Sequence, residues 1–360
     1  MPPASESESG QSNPVDSEQR LRAYGVFVDT QNALPDALNE YINVLIKAPR
    51  EHTSPSARNM GRKQGRARAG SEQAGIDLLK DHLLFVGEAD GGIPLITYLP
   101  QVNLSRTYLP APPTELVAKE LGLLTQPRPD SLVGYITSTE AETCGSKAPI
   151  TPEQERIFLK NTLTSSVHFP FLSCQWKSSK KTQNEAMLQA ARDGSTISNY
   201  LHDFFTAAGH EPSLIDTSHF SLTCDMNTVH LWVHWRQEEG DVKHFMKIIG
   251  QAFLRDIDDD GNPQLVKIRK MLRNLLDYAV GARLQKIRSA IPDLEANKAR
   301  KRSQSPRKGR RCSPTKCGSD TLSLPSAKSS NNLFNMPPPH LPSPTLSETK
   351  KQKLDPGAPD

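Results

Sequence analysis

Very little in this chain of 360 residues is suited to burial. Hydrophobic residues make up 36% and aromatics 6%, against 29 prolines. That composition is too lean for a chain folded along its whole length, so it predicts one domain between disordered polar flanks. Cysteine is sparse as well: Cys144, Cys174, Cys224, Cys312 and Cys317 are odd in number and form no CxxC pair. This excludes a disulfide framework and points to reduced, intracellular thiols. No run approaches the roughly 18 apolar residues of a membrane span. The opening MPPASESESGQSNPVDSEQ lacks the apolar core of a secretory signal. No GxSxG, P-loop or dinucleotide fingerprint is present either.

The net charge of +4 is unevenly spread. Residues 71–296 hold 22 Lys and Arg against 28 Asp and Glu, a net of −6, whereas residues 297–360 hold 13 against 4, a net of +9. The basic character therefore belongs to the C-terminal tail, which is also rich in Ser and Pro and is expected to be disordered from 292 onward.

Between the flanks, periodicity predicts a mixed α/β domain over 20–291 with one central sheet. YGVFVD (24–29) reads as a short strand and LPDALNEYINVLIKA as a helix. The basic, Gly-rich stretch about 48–70 lacks apolar periodicity and reads as a flexible loop. Helix resumes with SEQAGIDLLKDHLLF, where Ser71 is an N-cap, and TELVAKELGLL (114–124) is amphipathic. TPEQERIFLKNTL opens with Thr151, Pro152 and Gln154 in a capping-box arrangement. A strand over 167–177, a long helix over 183–206, a hairpin in HFSLTCDMNTVHLWVHW and a helix over 263–290 complete the order.

The strand FPFLSCQWKSS (169–179) carries an amide and an ammonium at alternate positions, so Gln175 and Lys177 share one face. A buried lysine needs a partner. Asp130, at the start of another predicted strand in PRPDSLVGY, is the candidate.

Pro129-Asp130 followed by Gln175-x-Lys177 resembles the PD-(D/E)xK signature of the restriction-endonuclease-like superfamily. The order agrees: a helix before the Pro-Asp strand, a second strand with the (E/Q)xK segment, then a long helix, on which Gln189 stands where many members place a site-facing Gln. The wider set, PDSLVGY, PFLSCQWK, EAMLQAARDGS and the hairpin ending in VHW, is similar to an uncharacterised domain family found widely in fungi. The superfamily resemblance implies a restriction-endonuclease-like mixed sheet flanked by helices, a Mg²⁺-dependent nuclease site and a nucleic-acid partner. It makes Asp130, the side chain of position 175 and the backbone carbonyl of Trp176 the metal ligands, with Lys177 orienting the attacking water. A divalent ion there would bind phosphate and ionise water. Gln175 departs from the usual Glu and brings no charge. Either Glu153, Glu155 or Glu120 supplies the missing carboxylate, or catalysis is lost and the domain is a non-catalytic nucleic-acid-binding or protein-interaction module.

Lys298, Arg300, Lys301 and Arg302, followed by Arg307, Lys308, Arg310 and Arg311, resemble a two-part nuclear localisation signal. They predict a nuclear protein with an import receptor as partner, or a run that binds phosphate backbones. Two weaker patterns stand beside it. DIDDDGNPQLVK (256–267) begins like a calcium loop but ends on Lys267, and reads as an acidic turn. His230 and His234 share a strand face and could hold zinc, but more simply line the solvent or helix-covered face of a sheet.

Overall fold

The computed structural model describes residues 15–51, 55–85, 95–255 and 264–304. The leader before residue 15, most of the acidic turn (256–263) and Arg307, Lys308, Arg310 and Arg311 lie outside the described residues. The chain runs through α1 (Glu18–Ala23), β1 (Val26–Phe27), α2 (Asp36–Tyr41), α3 (Pro55–Ala69), α4 (Glu72–Leu83), β2 (Ile96–Pro100), α5 (Glu115–Leu121), β3 (Ser131–Tyr135), α6 (Ser138–Thr143), α7 (Pro152–Phe158), β4 (His168–Trp176), α8 (Gln183–Ala207), α9 (Leu214–Thr217), β5 (His219–Cys224), β6 (Thr228–Glu239), β7 (Asp241–Phe253), α10 (Leu265–Tyr278) and α11 (Leu284–Gln304).

The strands form one seven-stranded mixed sheet in the order β1-β7-β6-β5-β4-β3-β2. β2, β3 and β4 make an antiparallel meander, and β5, β6 and β7 make another. The two meanders meet where β4 pairs parallel with β5. A parallel pair needs a crossover, and the 25-residue α8 supplies it.

Strand alternation sorts the sheet into two unlike faces. On one, Leu172, Cys174, Trp176, Leu222, Cys224, Leu231 and Val233 form a continuous apolar core with residues of α2, α3, α4 and α10. On the other, beneath α8, Ser173, Gln175, His219, Ser221, Thr223 and His234 are all buried. Several of their polar atoms pair within that layer. Ser173 Oγ lies 2.8 Å from His219 Nε2, Ser221 Oγ 2.7 Å from His234 Nε2, and Trp232 Nε1 donates to Thr223 Oγ1 at 2.9 Å. His234 thus lies under a helix, in a hydrogen bond to serine, while His230 packs edge-on to Trp232.

Several elements differ from the sequence expectation. The basic stretch expected as a loop is helical over Pro55–Ala69, because Met60, Gln64 and Ala67 turn one side of it into the core. Strands β2 and β7 carry no clear alternation, and β2 is half-exposed throughout most of its length. The last helical segment breaks at Gly281, whose φ of −98° and ψ of −106° separate α10 from α11. α11 then continues past 291 to Gln304, held by buried Leu294 and by Lys298 Nζ, which donates to the Ile157 carbonyl at 2.6 Å. Lys298, Arg300, Lys301 and Arg302 therefore continue a helix of the domain rather than begin a disordered tail. At the other end, Asp16 is 1% exposed and accepts from the Thr125 backbone N–H at 3.1 Å, so the folded region begins before residue 20. No helix among the described residues is long and apolar enough to cross a membrane.

Candidate functional site

β3 and β4 pair with Ser131 opposite Cys174, which brings Asp130 to the end of β4. There β3 has run out, and the Asp130 side chain takes the place of its next carbonyl: Oδ2 accepts the Trp176 backbone N–H at 2.9 Å. Lys177 continues the β4 ladder on the other side, donating its backbone N–H to Cys224 O at 2.8 Å. Its ammonium folds back to the Trp176 carbonyl at 3.0 Å and lies 3.9 Å from Asp130 Oδ2. The sequence-derived partnership of Asp130 and Lys177 is thus present as a buried ion pair, with Lys177 4% and Asp130 8% exposed.

Gln175 faces the same side but reaches elsewhere. Its Nε2 donates to Asp193 Oδ2 on α8 at 2.6 Å and to the Arg128 carbonyl at 3.4 Å. Its Oε1 is buried without a hydrogen-bond partner. Asp193 is held from the other side by Arg192 Nε at 2.9 Å, and Arg192 Nη1 continues to Asp16 Oδ2 at 3.4 Å and to the Thr125 hydroxyl. Gln189 is buried one turn before Asp193 on α8, but the bond that reaches Gln175 is made by Asp193. The i, i+4 spacing of Gln189 and Asp193 was the available signal for this residue.

Glu72 is the second group that sequence reasoning missed. It opens α4 after the Ser71 cap, accepts the Ser178 backbone N–H at 3.3 Å and lies 3.8 Å from Lys181 Nζ. The carboxylates proposed from sequence to assist the site are elsewhere. Glu155 accepts the Ser138 backbone N–H at 2.6 Å and bonds His168 Nε2 at 2.8 Å; Glu153 is exposed beside Arg156, and Glu120 is exposed on α5.

Burial pushes the Asp130 carboxyl up to about 6; the Lys177 charge and the Trp176 N–H oppose this, and the charges of Glu72 and Asp193 add to it. Burial also raises Asp193, against the charge and hydrogen bond of Arg192 and the bond from Gln175.

A hard divalent ion such as Mg²⁺ wants about six oxygens in near-octahedral array. Of the three ligands expected here, Asp130 offers a carboxylate, Gln175 offers one unbonded amide oxygen, and the Trp176 carbonyl already accepts from Lys177. Among the described residues no group of three or more His, Cys, Asp or Glu side chains is placed to hold a metal. The arrangement does not fit the ion as it stands.

Comparison with known families decides what the chain is related to: residues 92–291 match the family described as Domain of unknown function (DUF7924). The chain belongs to that family. No curated protein matches it at a significant level. The DUF7924 match takes in Asp130, Gln175, Lys177, Gln189 and Asp193, and leaves Asp16, α3 and Glu72 outside.

Proposed function

We propose that the domain binds nucleic acid on a restriction-endonuclease-like scaffold whose metal site has become a hydrogen-bonded strut, so that it holds its target without cutting it. Element order supports the scaffold: α5 precedes the Pro129-Asp130 strand, β4 carries Gln175-x-Lys177, and the long α8 follows with Gln189. The observation that carries the loss of cutting is the 2.6 Å bond from Gln175 Nε2 to Asp193 Oδ2. The amide N–H is committed to Asp193, so the side chain is held by that bond and ties β4 to the Arg192–Asp16 chain. Nuclear placement through the basic run from Lys298 to Arg311 belongs to the same proposal, with an import receptor as the partner.

The metal-dependent phosphodiesterase reading keeps one observation in its favour, the orphaned Gln175 Oε1, two positions along the strand from Lys177 of the Asp130–Lys177 pair. Calorimetric titration of Mg²⁺ and Mn²⁺ into the full chain, paired with cleavage assays on labelled DNA and RNA, separates the two. The expected result is nucleic-acid binding that survives a chelator, with no cleavage. Metal-dependent cleavage that disappears in Asp130→Asn would overturn it and restore the nuclease reading.

A further inference from the structure

Immediately after Lys177 the chain makes a tight turn, closed by the Lys181 backbone N–H donating to Ser178 O at 3.0 Å. It leaves Lys180 and Lys181 exposed. The C-terminal end of α3, more than a hundred residues earlier in the chain, is bonded to this turn: Ser179 Oγ donates to the Arg68 carbonyl at 2.9 Å. Met60, Gln64 and Ala67 take the buried side of α3, so Arg66 and Arg68 are exposed and Lys63 is half-exposed. Glu72 fixes the junction through the Ser178 N–H and Lys181. Two cationic segments from distant parts of the sequence are therefore held together beside the Asp130–Lys177 pair.

Gathering like charges opposes folding, because each cation repels its neighbours. Here it happens in a folded region that is close to neutral, since residues 15–304 hold 35 Lys and Arg against 34 Asp and Glu, so general basicity does not explain it. A row of phosphates is the partner whose charge offsets that repulsion: Lys and Arg that neutralise phosphates release the condensed counterions around them. Residues 63–72 and 178–182 contain no aromatic side chain on which unpaired bases could stack. The chemistry suits a paired backbone rather than splayed single-stranded bases.

We propose that the end of α3 and the turn over residues 178–181 form the docking surface for the phosphate backbone of a nucleic-acid duplex, leading it to the end of β4. The assignment rests on the nucleic-acid reading above. It adds a surface that precedes the family-matched stretch in α3 and joins it in the turn.

The test is fluorescence anisotropy with labelled random-sequence duplex DNA and its single strand, titrated against the full chain across a range of salt. Three proteins are compared: wild type, the surface variant Arg66→Gln/Arg68→Gln/Lys180→Gln/Lys181→Gln, and the tail variant Arg307→Gln/Lys308→Gln/Arg310→Gln/Arg311→Gln. The four surface side chains are exposed and Glu72 keeps its bond to the Ser178 backbone N–H, so the melting temperature of that variant should stay close to wild type. The expected result is a loss of about 100-fold in duplex affinity in the surface variant, with the log–log salt slope lowered by about 3 to 4. A surface variant that binds like wild type, with the loss confined to the tail variant, overturns the docking surface and leaves the nucleic-acid reading standing. Wild type that binds neither probe at any salt overturns both. Tighter binding to the single strand than to the duplex, with the same dependence on the four cations, overturns the duplex assignment.

Discussion

Gln175 and Asp193 are chemically matched, since an amide nitrogen and a carboxylate oxygen 2.6 Å apart satisfy each other in a buried place. Replacing the amide by an acid at this position would break the match. In Gln175→Glu two carboxylates meet at that separation, and both cannot ionise together. The variant should lose about 2–4 kcal/mol near neutral pH, from the lost bond and the charge repulsion. The loss should shrink as pH falls, because a proton shared between the two acids removes the repulsion. Adding Asp193→Asn returns the amide–carboxylate pair with its sides exchanged but gives up the Asp193–Arg192 ion pair, so part of the stability should return with it. Urea unfolding of both single variants and the double variant measures the coupling. If the double variant is no more stable than Gln175→Glu, the bond does not have the role given to it here.

At the scale of elements, the position of α8 over the sheet depends on Gly194. A Cβ there would lie 2.3 Å from His234 Nδ1, and His234 cannot withdraw because its Nε2 is fixed to Ser221. Gly194→Ala should therefore destabilise by about 1–3 kcal/mol despite alanine's better helix propensity. A thermal melt at or above the wild-type midpoint would show that the helix shifts freely. The sequence made much of this layer legible. The i, i+2 spacing of Gln175 and Lys177 put both on one face of the strand, and the Thr151 capping box appears as read. What stayed hidden was of two kinds. Glu72 and Asp16 reach the site from other elements, which only three-dimensional pairing reveals, and Asp193 carried no signal beyond its i, i+4 spacing from Gln189. The helix α3 escaped notice because an amide, Gln64, sits between Met60 and Ala67 on its buried side and donates to the Met226 carbonyl at 2.7 Å. A hydrophobic pattern with a polar residue at its centre does not register as one.

For the molecule as a whole, the polar layer under α8 sets the response to acid. His219, His234 and His244 are buried on that side of the sheet. Burial holds His234 and His244 down to about 3, and His219 well below its ordinary value. Neighbouring charges push the same way: Arg283 and His234 act on His219, and Arg236 and His202 act on His244. An unfolded histidine takes up its proton near pH 6.5. Below that pH the unfolded chain binds protons that the native protein refuses, so stability falls with pH until the folded values are reached. Each such histidine contributes a slope of about 1.4 kcal/mol per pH unit, or about 4 for the three. Asp130 opposes this. Its carboxyl is raised to about 6, so between there and its unfolded value of 3.8 the native state binds a proton first and gains about 1.4 kcal/mol per unit in return. Asp193, raised by burial, acts in the same sense as Asp130. The histidines outnumber the two acids, and their window opens above that of Asp130. A domain with the usual total stability of about 5–15 kcal/mol should then lose its urea midpoint steadily below about pH 6 and unfold in moderate acid. A midpoint that stays level from neutrality down to about pH 4.5 would mean that these rings are reached by water or carry their charge inside the fold.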